Sequence, residues 1–269
     1  MKMALKFFVL IVGAVVFAYP FLWMIAGSLK PEQEISQMGL WSNHFTAESY
    51  ELVLTKIPIA RAFLNSLFVS LATTCSVVLF GSMAGYALAK LRFVGKAGLY
   101  VLILFTMMIP FQIVLIPQYI LMVKLGWTDT YLSLIAPTMM SAFGIVLFRQ
   151  FFMAVPQALI DAARMDGCSE LRILFQVIWP ISRPVVMTVA LLTFMTNWNE
   201  VLWPLMVVRE RSLMTMPQIV TIFTIGGESE SQLGSLLAAA TLLSLPVIIA
   251  YAFFQRYFIE SMASTGIKG

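Results

Sequence analysis

The sequence predicts an all-α membrane protein, a bundle of six transmembrane helices. Three observations carry that expectation. Of the 269 residues, 60% are hydrophobic and 11% charged, against about 45–50% apolar and about 25% charged in a soluble domain. The apolar residues are gathered into six runs, roughly 7–29, 64–89, 98–123, 130–151, 185–208 and 235–259, each close to the ~20 residues a helix needs to cross a bilayer. The runs are also too long for barrel strands, which take about 9–11 residues with alternation. A helix satisfies its own backbone groups inside lipid. We therefore expect a single multi-pass transmembrane domain over residues 1–269.

The first run follows Lys2 and Lys6 and ends at Lys30-Pro31. It is too long for a secretory signal core and lacks a small-residue cleavage site, so it reads as a retained helix. A long polar segment with several acidic residues, about 30–63, follows it. The second run carries Gly81-x-x-x-Gly85, a spacing that lets helices approach closely. It joins the third through the short basic turn Lys90-Leu-Arg-Phe-Val-Gly-Lys96. Pro110-Phe-Gln112 and Pro117-Gln118 lie in the third run. Prolines there free backbone carbonyls and permit kinks, read equally as a gate hinge or as static bends. The fourth and fifth runs flank a polar loop, 156–184, and another external segment, about 209–234, holds Gly226-Gly-Glu-Ser-Glu230.

Basic residues orient the bundle. With the N-terminus inside, Lys2, Lys6, Lys90, Arg92, Lys96, Arg149, Arg164, Arg172, Arg183, Arg256 and Lys268 are cytoplasmic, which is 11 of the 17 basic residues. Lys30, Lys56, Arg61, Lys124, Arg209 and Arg211 are external. That bias follows the positive-inside rule. Both termini and the 156–184 loop are then cytoplasmic.

Several functions are excluded. Net charge is +4 and the pI about 9.1, but the basic residues mark span ends and form no nucleic-acid-binding run. The single histidine, His44, rules out a histidine-rich metal site. Cys75 in a span and Cys168 in the polar loop read as two separate thiols. No G-x-x-x-x-G-K-[S/T] occurs, so ATP has no P-loop here. No catalytic constellation and no cofactor site is evident on this chain.

The polar loop has the layout of two short helices joined at a glycine. Pro156 suits a first helical turn, and Ala158, Ala162 and Ala163 favour helix. Gly167 suits a left-handed helix end. Ser169 can cap a second helix, with Glu170 in its first turn. Leu171, Leu174, Phe175 and Ile178 recur at helical spacing as one apolar face. Pro180 and Pro184 close the segment. Such an element is either an ordinary surface loop or a docking element that offers Asp161 and Asp166 to a partner.

Asp161-Ala162-Ala163, three residues, Gly167 and then Pro180 resemble the EAA loop of ABC importer permeases. That family's pattern is Glu-Ala-Ala, three residues, Gly, nine residues, Ile-x-Leu-Pro. Here Asp161 replaces the glutamate, Val177 the isoleucine and Trp179 the leucine. Phe148-Arg149-Gln-Phe-Phe, Asn197-Trp198-Asn199-Glu200-x-Leu-Trp-Pro204 and Phe254-Gln255-Arg256-x-Phe258-Ile resemble the carbohydrate subfamily, specifically its smaller, six-span maltose-type permease. The tail Ser264-Thr-Gly-Ile-Lys-Gly269 is similar to that family's short C-terminus.

The resemblance implies a bacterial or archaeal cytoplasmic-membrane importer of a mono- or oligosaccharide, with glycerol phosphate or a polyol as the alternative. Its implied partners are a second, different permease, an ATPase dimer carrying ATP and Mg, an external solute-binding protein and membrane lipid. Asp161, Ala162, Ala163, Asp166, Gly167 and Pro180 would then form the ATPase-coupling element, a mechanical role.

Glu200 is the one ionisable residue expected inside a span, and such residues are costly and default to function. With Asn197, Trp198 and Asn199 it is a candidate solute path; the same groups could instead tie the fifth helix to its neighbours. An ion-coupled transporter would need midplane carboxylates in symmetric halves, and only Glu200 is present. A membrane enzyme would need a nucleophile or paired carboxylates in a span, and none is seen.

Overall fold

The structure, a computed structural model, describes residues 2–35, 39–42, 44–225 and 232–266. Every regular element among them is helical. In chain order these are α1 (Lys2–Ser28), α2 (Glu32–Ile35), α3 (Glu48–Lys56), α4 (Ile59–Lys90), α5 (Lys96–Met108), α6 (Phe111–Lys124), α7 (Tyr131–Ile135), α8 (Ala142–Ala154), α9 (Gln157–Met165), α10 (Glu170–Ile181), α11 (Arg183–Trp198), α12 (Leu202–Val207), α13 (Met216–Ile225) and α14 (Leu233–Gly266). Gly226-Gly-Glu-Ser-Glu230 and the last three residues of the tail lie outside the described residues.

Leu5–Ser28, Ile59–Lys90 and Leu233–Phe253 are each long and apolar enough to cross a membrane alone. Three bent pairs bring the total to as many as six if each is one span. The third apolar run is the sharpest departure from a straight helix: α5 and α6 meet at 98°. Pro110 cannot donate a backbone hydrogen bond and its ring pushes the preceding residue out of the helical region. Ile109 is accordingly extended (φ −83°, ψ 115°), and so is Pro110 (φ −61°, ψ 137°). Pro117, by contrast, sits inside α6 without ending it. The fifth run is also interrupted, between Trp198 and Leu202.

The chain divides into two compact units, each described by itself. The first comprises Met1–Phe63 and Thr215–Ile248. Within it, the membrane-length stretch of α1 is apolar all round and none of its most hydrophobic window is buried. A helix of that kind needs lipid or another protein around it. Below α1 the chain is held by polar contacts. Ser28 Oγ and Tyr50 Oη lie 2.8 Å apart, Thr46 N–H donates to Leu29 O at 2.8 Å, and Lys30 Nζ donates to Gly39 O. The Glu32 carboxylate accepts from Leu233 N–H at 2.6 Å and Gly234 N–H at 2.9 Å. A carboxylate is favoured there by the orphan amides and positive end of α14.

The segment 209–234, expected to be external, contains α13, in which Met216, Pro217, Gln218, Ile219, Val220 and Phe223 are buried. An apolar helix this short is a core element rather than a span.

The second unit comprises Leu64–Met214 and Ile249–Gly269. Its main core joins Val77, Val78 and Tyr86 of α4 to Phe148 and Phe152 of α8, and then to Ile160, Ile173, Leu174 and Ile178 of the polar loop. A second cluster packs Val69, Met122, Leu134, Trp203, Val207 and Val208 together. The Trp203 indole N–H donates to Ser133 O at 2.8 Å there, so its one polar group is satisfied. The Gly81/Gly85 pair faces α8, as the close-packing reading expects. At Gly85 a Cβ would stand 2.6 Å from Phe148 Cβ and 3.0 Å from the Arg149 amide.

Candidate functional site

Two of the candidate sites fall in the second unit: the loop α9–α10 and the break after α11. α9 starts after Pro156 and turns Ile160 and Ala163 inward. Asp161, Ala162 and Asp166 face out, and Met165 is 89% exposed. The helix ends at Gly167, whose φ of +76° only glycine adopts without strain. Cys168 N–H bonds Ala163 O and Gly167 N–H bonds Arg164 O, both at 3.0 Å. That pair of bonds is the Schellman arrangement expected at such a stop. Ser169 Oγ then accepts from Arg172 N–H at 3.4 Å and opens α10. The helix–glycine–capped-helix reading therefore holds in detail.

The second loop helix differs from the expected face. Ile173, Leu174 and Ile178 are buried, whereas Leu171 is 54% exposed. Residues Ile173–Ile178 form a π turn. Its bonds close over five residues instead of four, so the apolar spacing shifts from i, i+3, i+4 to i, i+1, i+5. Trp179 packs edge-on to Phe175 with ring centroids 5.0 Å apart. Pro180 is exposed. α10 and α11 then meet at 89° around Ser182, which is fully buried.

A hydrogen-bonded chain ties the loop together. Gln157 Nε2 donates to Asp161 Oδ1 at 3.1 Å, and Arg164 Nη1 reaches the same oxygen at 3.2 Å. Arg164 Nε donates to Glu170 Oε1 at 2.8 Å, while Tyr86 Oη donates to Glu170 Oε2. The Arg164 guanidinium, aided by the Tyr86 hydroxyl, holds the Glu170 carboxyl below the usual carboxylate range. Lys90 Nζ donates to Val155 O at 2.6 Å, at the C-terminal end of α8. Of these groups, the sequence marks Asp161 and Glu170 as loop-helix residues and Lys90 and Arg164 as cytoplasmic basic residues. Tyr86 is 84 positions from its partner, and no local signal marks it.

At the second place, two side-chain amides near the end of α11 fold back onto carbonyls one turn earlier. Asn197 Nδ2 donates to Thr193 O at 2.9 Å and Asn199 Nδ2 to Met195 O at 2.7 Å. Glu200 Oε1 accepts from Trp203 N–H at 3.1 Å, capping α12 from the break. Trp198 is fully buried and stacks on Phe194 with centroids 5.7 Å apart. Beside the break is a cavity of about 550 Å³ with a mostly apolar wall, including Val77, Met140 and Leu192, into which Ser141, Thr193 and Asn197 also bring polar groups. No lining residue is ionisable. Of the four candidate solute-path residues, Asn197 is thus on the cavity wall. Trp198 is packed within the protein, and Asn199 and Glu200 shape the break. Among the described residues no cluster of histidine, cysteine, aspartate and glutamate is arranged to hold a metal ion. Cys75 and Cys168 are free.

Residues 77–264 match the family described as binding-protein-dependent transport system inner membrane component. The chain belongs to that family. This inner-membrane component is 34% identical over 262 residues to the arabinooligosaccharides transport system permease protein AraQ of Halalkalibacterium halodurans, covering 95% of this chain and 93% of that one. It is 29% identical to the lactose transport system permease protein LacG of Rhizobium radiobacter, covering 96% and 93%. Its fold matches a crystal structure of a bacterial ABC transporter involved in the import of the acidic polysaccharide alginate, with TM-score 0.81 and 24% identity over 96% of both chains. The permease component is a transport subunit, and the EAA-type loop falls inside the matched region.

Proposed function

We propose that this chain is the membrane half of an ATP-driven sugar importer, coupled to a separate ATPase through the 156–184 loop. The observation that carries the reading is the outward face of α9. Asp161, Ala162, Asp166 and Gly167 are exposed, while the opposite face, Ile160 and Ala163, is buried with α4 and α8. The loop is thus fixed on one side and free on the other, as a coupling element must be. Ala163 sets its depth and Pro180 closes its second helix. ATP and Mg belong to the partner ATPase dimer. A second permease completes the pathway and an external binding protein delivers the solute. The whole chain acts as one transmembrane domain, with both termini on the ATPase side.

A sugar is favoured as cargo by two independent points. The relatives named above, matched along almost their whole length, carry arabinooligosaccharide and lactose in their names. The cavity beside the α11 break has a largely apolar wall, interrupted by the hydroxyls of Thr138, Ser141, Thr193 and Thr196 and the Asn197 amide, and no lining residue is charged, which disfavours a phosphate ester. The solute path runs past Asn197, and Asn199 and Glu200 hold the break open beside it, with Trp198 packed behind.

The test is a mild-detergent pull-down of the tagged chain with mass spectrometry, beside Asp161→Lys and Gly167→Pro. The expected result is an ATPase and a second permease with the wild type, and loss of the ATPase alone in the variants. A chain that brings no ATPase in several detergents overturns the reading. For the cargo, uptake of labelled arabino-oligosaccharide and lactose is compared with Asn197→Ala, which is expected to raise the KM; an unchanged KM removes Asn197 from the path.

A further inference from the structure

We propose that Tyr86 is the residue through which the loop moves the second apolar helix, by way of Glu170 and Arg164. The inference rests on the coupling-loop reading above. The loop meets the bundle chiefly through apolar side chains: Ile160, Ile173, Leu174 and Ile178 are all fully buried beside Val77, Val78, Phe148 and Phe152. Apolar contact is strong but non-directional, so it holds the loop on without fixing it against sliding. Directional bonds to an ionised group supply that constraint.

The Glu170 carboxylate uses its two oxygens for two different elements. Oε1 accepts from Arg164 Nε at 2.8 Å, on the far side of the Gly167 turn, so α9 and α10 are clamped across that turn. Oε2 accepts from Tyr86 Oη, one turn before the end of α4. Arg164 also reaches Asp161 on the exposed face of α9 at 3.2 Å. A continuous line of side chains therefore runs from the surface an ATPase would push, through the joint, to a membrane-length helix. Tyr86 is 3% exposed and its ring belongs to the core. Its hydroxyl is the one part of it that can pull in a defined direction. Coupling between sites is reciprocal, so the same link makes the bundle a load on the ATPase.

Tyr86→Phe keeps the ring and removes the hydroxyl; Glu170→Gln keeps an acceptor for Tyr86 and weakens the Arg164 clamp. The assembled complex is reconstituted in vesicles. ATPase co-purification, basal ATP hydrolysis and labelled arabino-oligosaccharide or lactose imported per ATP are then read together. Tyr86→Phe is expected to retain the ATPase, raise basal hydrolysis and lower sugar imported per ATP by about five-fold, the scale of one hydrogen bond. Adding Glu170→Gln to it is expected to lower the ratio little further, since both substitutions cut one line. An unchanged hydrolysis rate and import ratio in both single variants overturns the proposal, as does full additivity in the double variant. If the complex imports neither sugar, the basal hydrolysis still decides. If the wild type carries no ATPase, the coupling-loop reading falls first, and visibly so.

Discussion

Gly85 and Phe148 approach so closely that a Cβ on the glycine would lie 2.6 Å from the phenylalanine Cβ. Backbone atoms bound the same space, with Ile145 O at 3.2 Å, so no side-chain rotation can clear it. Gly81, one turn earlier, would meet Phe148 ring atoms at 3.5 Å, which is ordinary contact. Gly85→Ala is therefore expected to destabilise the protein by about 1–3 kcal/mol through overpacking. Gly81→Ala is expected to be neutral. Thermal unfolding of the two variants in detergent separates them, and equal midpoints would mean that α4 and α8 are not in this contact.

Glu32 caps α14 from a position some two hundred residues away in sequence, through the amides of Leu233 and Gly234. A Cβ at position 234 would stand 3.1 Å from Glu32 Oε2 and 2.5 Å from Ser49 Oγ. Glu32→Ala is expected to cost about 1 kcal/mol, the usual size of a lost cap. Gly234→Ala is expected to cost more, because it displaces Ser49 as well as the cap. The check is the same unfolding assay, with Glu32→Gln expected between wild type and Glu32→Ala.

Gly167 combines a left-handed backbone with open space where a side chain would go. Substitution there is governed by backbone strain alone. Gly167→Ala is expected to cost about 1–2 kcal/mol and Gly167→Asn less, since asparagine tolerates this region. Protease sensitivity of the loop should rise in the order Gly, Asn, Ala. If alanine and asparagine behave alike, the left-handed turn is not what the position requires.

Asp129 takes the same kind of backbone, at φ +55°, and accepts from the amides of Glu210 at 2.8 Å and Arg209 at 2.5 Å. Those two bonds hold its carboxyl below the usual aspartate range. A depressed pKa means that its stabilisation is whole above the ordinary value of about 3.9 and is lost as pH falls through the lower, folded value. Asp129→Asn keeps the backbone preference and one neutral acceptor. The stability gap between wild type and Asp129→Asn should therefore be constant near neutrality and begin to narrow as the pH falls below about 3.9. A gap that does not narrow at all as the pH is taken below the ordinary aspartate value would show that the charge is not the source.

What was legible in the sequence is what local chemistry decides. Gly167, Ser169 and Pro156 announce the two loop helices because caps and left-handed turns are made by neighbours in the chain. The apolar runs mark the bundle for the same reason. The face of α10 was misread by its phase, since Leu171 and Ile173 can be told apart only once the π turn is known. The prolines of the third run flagged a bend, but only Pro110 breaks the chain, and its size depends on what packs around it. α13 lies inside a segment read only as an external connection, because its ten residues are too few for a span and three of them, Gln218, Thr221 and Thr224, interrupt the apolar run. The Tyr86–Glu170 and Glu32–Gly234 pairs lay beyond reach, because tertiary distance leaves no trace in spacing.

The π turn of α10 also changes how the distance between Gly167 and Pro180 should be counted. It holds one residue more than the α turn it replaces, so the count along the chain exceeds the travel along the helix. A homologue lacking one residue near the exposed Gln176 would wind as plain α-helix and still bring its glycine and its proline to the same two places. An alignment gap there would be silent in three dimensions, whereas the same gap in α9 would rotate Asp161 off the outer face.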